Sequence, residues 1–179
     1  MFKDFDISSF KKMKPPGDNT FDTSQEIKAL AKIPLKKEFV KKFDNIESAF
    51  AKTAKDNNVE NYDKKIAAKL IKESAPIILE LKKHFNRPRP KVLAKKMNIK
   101  MKDYEMSSMK TPSYPSGHSV QGVLIAKALG KKYPKAKSAF AKTGENISYS
   151  RRVAHAHYKS DSKMGEKLGN SMYKHIKNK

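Results

Sequence analysis

The chain has no cysteine, no tryptophan, few acids and almost no arginine. Without cysteine there can be no disulfides and no thiolate metal site, and the redox compartment stays open. Long apolar runs are also missing. A membrane helix needs ~20 consecutive apolar residues. The best stretches, 75–81 and 120–129, are interrupted by Pro76 and Glu80, and by Gln121 and Lys127. Residues 1–14 alternate Phe, Asp and Lys and hold no apolar signal-peptide segment. The expectation is a soluble chain made without a standard export signal, cytoplasmic by default. β-signals are nearly absent, and 179 residues suit one core, so an all-α fold is expected.

What the chain has in excess is positive charge. Lysine and arginine number 40 against 18 acids, a formal net charge of +22. This favours an anionic partner: a phosphorylated small molecule, or an anionic surface, either membrane or nucleic acid. The plainer reading is a solvated lysine coat. How the basic residues divide says more. Only four are arginines: Arg87, Arg89, Arg151 and Arg152. A guanidinium is a rigid fork that grips two phosphate oxygens, whereas a lysine is a flexible point charge.

Residues 1–20, ending in Pro15-Pro16-Gly17-Asp18, read as an extended N-terminal arm, and 21–179 as a single helical domain. Thr23 and Glu26 form a capping-box pattern that opens a helix to about Ile33, where Pro34 breaks it. Apolar spacing predicts helices over 35–55 and 62–85, the second kinked or split by Pro76. The proline-rich stretch 86–114 reads as a long loop with at most a short helix near 92–97. Ser116 can cap a helix to about Lys132, and Pro134 suits the first turn of the next, running past Ser150. Asp161 or Ser162 can cap a last helix to about Lys177.

Three motifs carry chemistry. Lys82 stands seven residues before Arg89-Pro90; Pro115-Ser116-Gly117-His118 follows; Ser150-Arg151 leads to His157 and Asp161. A helix start at Ser116 and Gly117 offers free N–H groups to an anion, with His118 beside it to give or take a proton. His157 and Asp161 are four apart, so a carboxylate can fix the imidazole tautomer and leave the other nitrogen free to attack. Taken singly, these also read as a helix cap, a surface His–Asp pair and solvated cations. His84 and His155 have no evident partner. His155 and His157 alone are too few ligands for a metal site, and no metal or cofactor is expected.

In order and spacing the three motifs resemble the signature of the type 2 phosphatidic acid phosphatase superfamily, which includes lipid phosphatases, acid phosphatases and vanadium haloperoxidases. Ser113-Tyr114, the run to Ser150-Arg151-Arg152-Val153, and Tyr158-Lys159-Ser160-Asp161 are similar to the bacterial class A nonspecific acid phosphatases, as is the Pro15-Pro16 arm. The similarity is firm over 80–178 and loose before it. It implies a compact helical bundle and a metal-independent phosphomonoesterase inhibited by vanadate. It also implies roles. His157 is the nucleophile that forms a phosphohistidine, His118 the general acid and base, and Asp161 the group that orients His157. Lys82, Arg89, Ser116, Gly117 and Arg151 hold phosphate. The resemblance further implies a phosphorylated small-molecule substrate and admits a homo-oligomer. The alternatives are a peripheral lipid-phosphate phosphatase on anionic membranes, a vanadate-dependent haloperoxidase, and a basic nucleic-acid-binding protein without catalysis. Residues 91–112, expected to border the site, match nothing clearly.

Overall fold

The computed structural model of the chain describes residues 1–102 and 104–178, and these hold helices and no strand. The helices are α1 (Ser8–Lys11), α2 (Phe21–Ala31), α3 (Lys37–Asp44), α4 (Ile46–Asp56), α5 (Lys65–Phe85), α6 (Pro90–Lys96), α7 (Gly117–Lys132), α8 (Lys137–Val153) and α9 (Lys159–Lys177). Two 3-10 turns, Ser107–Lys110 and Pro134–Ala136, complete them. No helix among the described residues is long and apolar enough to cross a membrane.

The bundle is organised around α7, which packs chiefly against α8 and α9 and also touches α5 and α4. Val120, Leu124, Ile125 and Leu129 recur at helical spacing and are fully buried. Fully burying one such side chain contributes about 1.5–3 kcal/mol. Phe50 of α4, Leu81 of α5, Phe140 and Ile147 of α8, and Leu168 and Met172 of α9 complete the same core.

Close approach of backbones fixes how α8 and α9 sit on α7. A Cβ on Gly144 would lie 2.6 Å from the Gly122 carbonyl oxygen, and one on Gly165 would lie 2.6 Å from that of Ser116. Only glycine permits either contact. The second holds the first turns of α9 against the start of α7, where two of the motifs meet.

Local chemistry moved several boundaries away from the sequence expectation. Thr20, not Thr23, caps α2, its hydroxyl accepting from the Thr23 N–H at 3.3 Å. The helix expected over 35–55 is two helices, because Asn45 is extended and caps α4, its side chain accepting from the Ser48 N–H at 2.9 Å. Pro76 does not split α5; it and Lys72, whose carbonyl loses its bond, both lie on the exposed face. Asp161 is not the cap of α9 but its third residue, and Tyr158 is the cap. The N-terminal arm carries the turn α1 and contributes Phe2 and Phe10 to the main core.

Candidate active site

Helix α5 ends at Asn86, whose left-handed backbone (φ 45°) turns the chain out of the helix. Pro88 and Pro90 then keep the chain out of the helical region at Arg87 and Arg89. Residues two apart on an extended strand point the same way, so Arg87 and Arg89 both face inward. They bracket one pair of side chains. Arg87 Nη1 donates to Asp161 Oδ1 at 2.8 Å, and Arg89 Nη1 lies 2.9 Å from His157 Nε2. Between them His157 Nδ1 meets Asp161 Oδ2 at 3.0 Å.

This arrangement fixes the tautomer of His157. A carboxylate only accepts and a guanidinium only donates, so the proton sits on Nδ1 and the lone pair on Nε2. Asp161 is wholly buried, yet fully partnered. Besides Arg87 and His157 it accepts from the Ser113 hydroxyl and from the Tyr158 N–H at 3.0 Å. The last bond also satisfies a free amide at the start of α9, where a carboxylate is favoured.

His118, in the first turn of α7, points its Nε2 at the Asp44 carbonyl at 2.9 Å. Arg151, near the end of α8, donates from Nη1 to Asp44 Oδ1 at 2.8 Å and from Nε to Ser150 Oγ at 2.9 Å. Its Nη2 is buried without a partner among the described residues. An unpaired buried donor is costly unless a ligand or water takes it. Lys82 is the one buried lysine among the described residues and donates to the Pro112 carbonyl at 2.5 Å. Ser116 caps α7, its hydroxyl accepting from the N–H and the hydroxyl of Ser119. The N–H groups of Gly117 and His118 precede the intrahelical ladder and are left for an outside acceptor.

Residues 66–174, more than half of the chain, match the PAP2 superfamily. The chain belongs to the PAP2 superfamily. It is also similar to the non-specific acid phosphatases of Salmonella typhimurium, at 35% identity over 88 residues, and of Salmonella typhi, at 34%. Each match covers 49% of this chain and 35% of the relative, so only about a third of those proteins' length is spanned. In fold it resembles the first transmembrane PAP2 type phosphatidylglycerolphosphate phosphatase from Bacillus subtilis. That likeness has a TM-score of 0.61 and 18% identity, and covers 99% of this chain and 96% of that one.

The electrostatics of this PAP2 site follow from burial among cations. Burial lowers Lys82 to about 7, helped by Arg89 and opposed by Asp161. Burial likewise lowers His157 to about 3, with Asp161 pulling the other way. His118 falls to about 4 through burial and Arg151, against the pull of Asp44. Burial alone would raise Asp161, but His157, Arg87 and Ser113 together hold its carboxyl below the usual range. Lys82 acts electrostatically on both histidines, so the two rings share one cationic site.

Six expected residues, Lys82, Arg89, His118, Arg151, His157 and Asp161, therefore converge. Ser116 and Gly117 supply the helix start beside them; the Ser116 backbone N–H is 3.1 Å from the Asp161 carbonyl. The 91–112 segment does border these residues: Thr111 and Ser108 carbonyls each hold Arg89 at 2.9 Å. Arg152 stands apart, stacked on Tyr149. His155 and His84 have partners after all. His155 meets the carbonyls of Lys102 and Ile33, and His84 that of Lys11.

Three participants went unassigned in the sequence. Arg87 was marked only by the scarcity of arginine. Glu26 accepts from Arg87 Nη2 at 3.2 Å and from the Ser160 N–H and hydroxyl at 2.7 Å each. It is thus a brace for Arg87 rather than half of a capping box. Asp44 carried no signal at all. A groove of about 550 Å³ between α7, α8 and α9 includes none of the motif residues.

Proposed function

We propose that the protein is a metal-independent phosphomonoesterase working through a phosphohistidine. The observation that carries this reading is the tautomer of His157: a neutral ring with its lone pair on Nε2, set between Asp161 and Arg89. Attack by Nε2 on phosphorus breaks the bond to the leaving oxygen, and His118 gives that oxygen a proton. The phosphorylated ring gains positive charge, which the Asp161 carboxylate stabilises. His118 then takes a proton from water, whose oxygen attacks phosphorus and returns the lone pair to His157. Lys82, Arg89, the unspent Nη2 of Arg151 and the amides of Gly117 and His118 surround the transferring oxygens; Ser116 shapes that helix start.

Vanadate, which can adopt the five-coordinate geometry of the transition state, is expected to inhibit. A panel of aryl, nucleotide, sugar and lipid phosphates, with the His157→Ala variant as the blank, tests the reading. Vanadate-sensitive hydrolysis of the soluble esters is the expected result. Preference for the lipid esters would favour action at anionic membranes, to which the exposed lysines would draw the protein. No hydrolysis of any class would overturn the reading.

Lys82 makes anion binding pH-dependent. With its value lowered to about 7, it is charged below that pH and loses its proton above it. Inhibition by sulfate, whose own charge is constant in this range, should weaken up to about thirtyfold as pH rises from 6 to 8.5. The Lys82→Met variant should show a flat profile. A sulfate inhibition constant that does not change with pH in the parent protein would contradict this role.

A further inference from the structure

The site contains a carboxylate that belongs to none of the three motifs. Asp44 is the last residue of α3, and its side chain is half exposed (49%). In an unbroken helix its carbonyl would accept from the Ser48 N–H. Asn45 prevents that by taking the Ser48 N–H onto its own side chain. The freed Asp44 carbonyl turns to His118 Nε2 at 2.9 Å, and its carboxylate reaches Arg151 at 2.8 Å with Oδ1 3.8 Å from His118 Nε2.

We propose that Asp44 is a positioning residue for the acid–base histidine. It holds His118 as the Nε2–H tautomer and supports the doubly protonated ring, so that Nδ1 can serve the leaving group. This rests on the reading of His118 given above. A carbonyl oxygen can only accept, so Nε2 must carry the proton. Nδ1 has no partner among the described residues and is left to exchange protons with the substrate. The step needs His118 to hold a second proton for part of the cycle, and its surroundings oppose that. Arg151 from α8 and Lys82 from α5 both disfavour the imidazolium, as does burial, and Asp44 from α3 is the acid acting against them.

Asp44 also acts on Arg151, and leaving-group dependence separates its two effects. Loss of an Arg151 contact weakens phosphate binding whatever the ester. Loss of support for the imidazolium slows the first transfer only for esters whose leaving oxygen must be protonated, whereas the later water step is common to all esters. The experiment therefore compares kcat/KM, which reports the first transfer, for an alkyl phosphate and for dinitrophenyl phosphate, whose leaving group needs no proton. The chains are the parent, Asp44→Asn, Asp44→Glu and His118→Ala.

In Asp44→Asn the alkyl-to-dinitrophenyl ratio of kcat/KM should fall about tenfold. Without the carboxylate the imidazolium loses its proton more readily, so the basic limb of the alkyl profile should move to lower pH. Asp44→Glu should recover much of both, and His118→Ala should lower the ratio further. A constant ratio and an unmoved limb in Asp44→Asn, with the ratio still lost in His118→Ala, would overturn the role of Asp44 alone. If His118→Ala keeps the parent ratio, the acid–base reading of His118 fails and this proposal fails with it.

Discussion

Replacing His157 with alanine should lower kcat for an aryl phosphate by about 10⁴-fold or more, because removal of an activated nucleophile leaves only binding and electrostatic stabilisation. Among the described residues no second imidazole is placed to take over: His118 uses its free Nδ1 to carry the leaving-group proton while Nε2 faces the Asp44 carbonyl, and His155 is tied to two backbone carbonyls. The fold should survive the change. Asp161 would keep Arg87, Ser113 and the Tyr158 N–H, and Arg89 Nη1 would keep the Ala156 carbonyl at 2.8 Å. No buried charge is left bare, so the thermal transition should move only slightly. Near-parental turnover by a folded His157→Ala protein would refute the nucleophile assignment.

The second large effect is expected at Arg87, for stability as much as for rate. This side chain is buried, stacks 3.7 Å from the centre of the Tyr158 ring, and is shared by Asp161, Ser160 and Glu26. Arg87→Met would leave Asp161 ionised in a wholly buried position without its counter-charge. Breaking a buried pair by removing one partner typically costs about 3–5 kcal/mol. Denaturant unfolding at neutral pH reads this directly.

The same change should alter the pH profile. Asp161 is depressed partly by Arg87, so it contributes stability above the ordinary carboxylate pKa, lost as pH falls through the lower folded value. Without Arg87 its pKa rises, and the acid limb of kcat should move to higher pH. Arg87→Lys should recover the charge but not the fork that spans three acceptors, and so should fall between. Unchanged stability and an unmoved acid limb in Arg87→Met would show that Asp161 does not depend on Arg87.

How much of this could be read from the sequence depended on where each residue's partner lay. The three motifs were legible because their spacing encodes local geometry, such as a helix start at Ser116 and a tight turn between His157 and Asp161. The scarcity of arginine pointed at Arg87, Arg89 and Arg151, whose side chains come together around the two histidines, though it gave Arg87 no role and took in Arg152, which stands outside. Glu26 misled because a capping box is a local pattern, whereas its actual partners are 61 and 134 residues away. Asp44 was invisible because its function depends on Asn45 releasing a carbonyl toward a ring 74 residues later. The helix is not split at Pro76 because the missing bond falls on the solvent side of α5, where water can replace it.

The central claim is that phosphate passes through His157, and the stereochemical course at phosphorus tests it most directly. Hydrolysis of a phosphate ester made chiral with oxygen isotopes, in isotopically labelled water, reports the number of displacements. Two in-line transfers, first to His157 Nε2 and then to water, predict overall retention. Inversion would mean that water attacks the ester in a single step, and would contradict the phosphohistidine account.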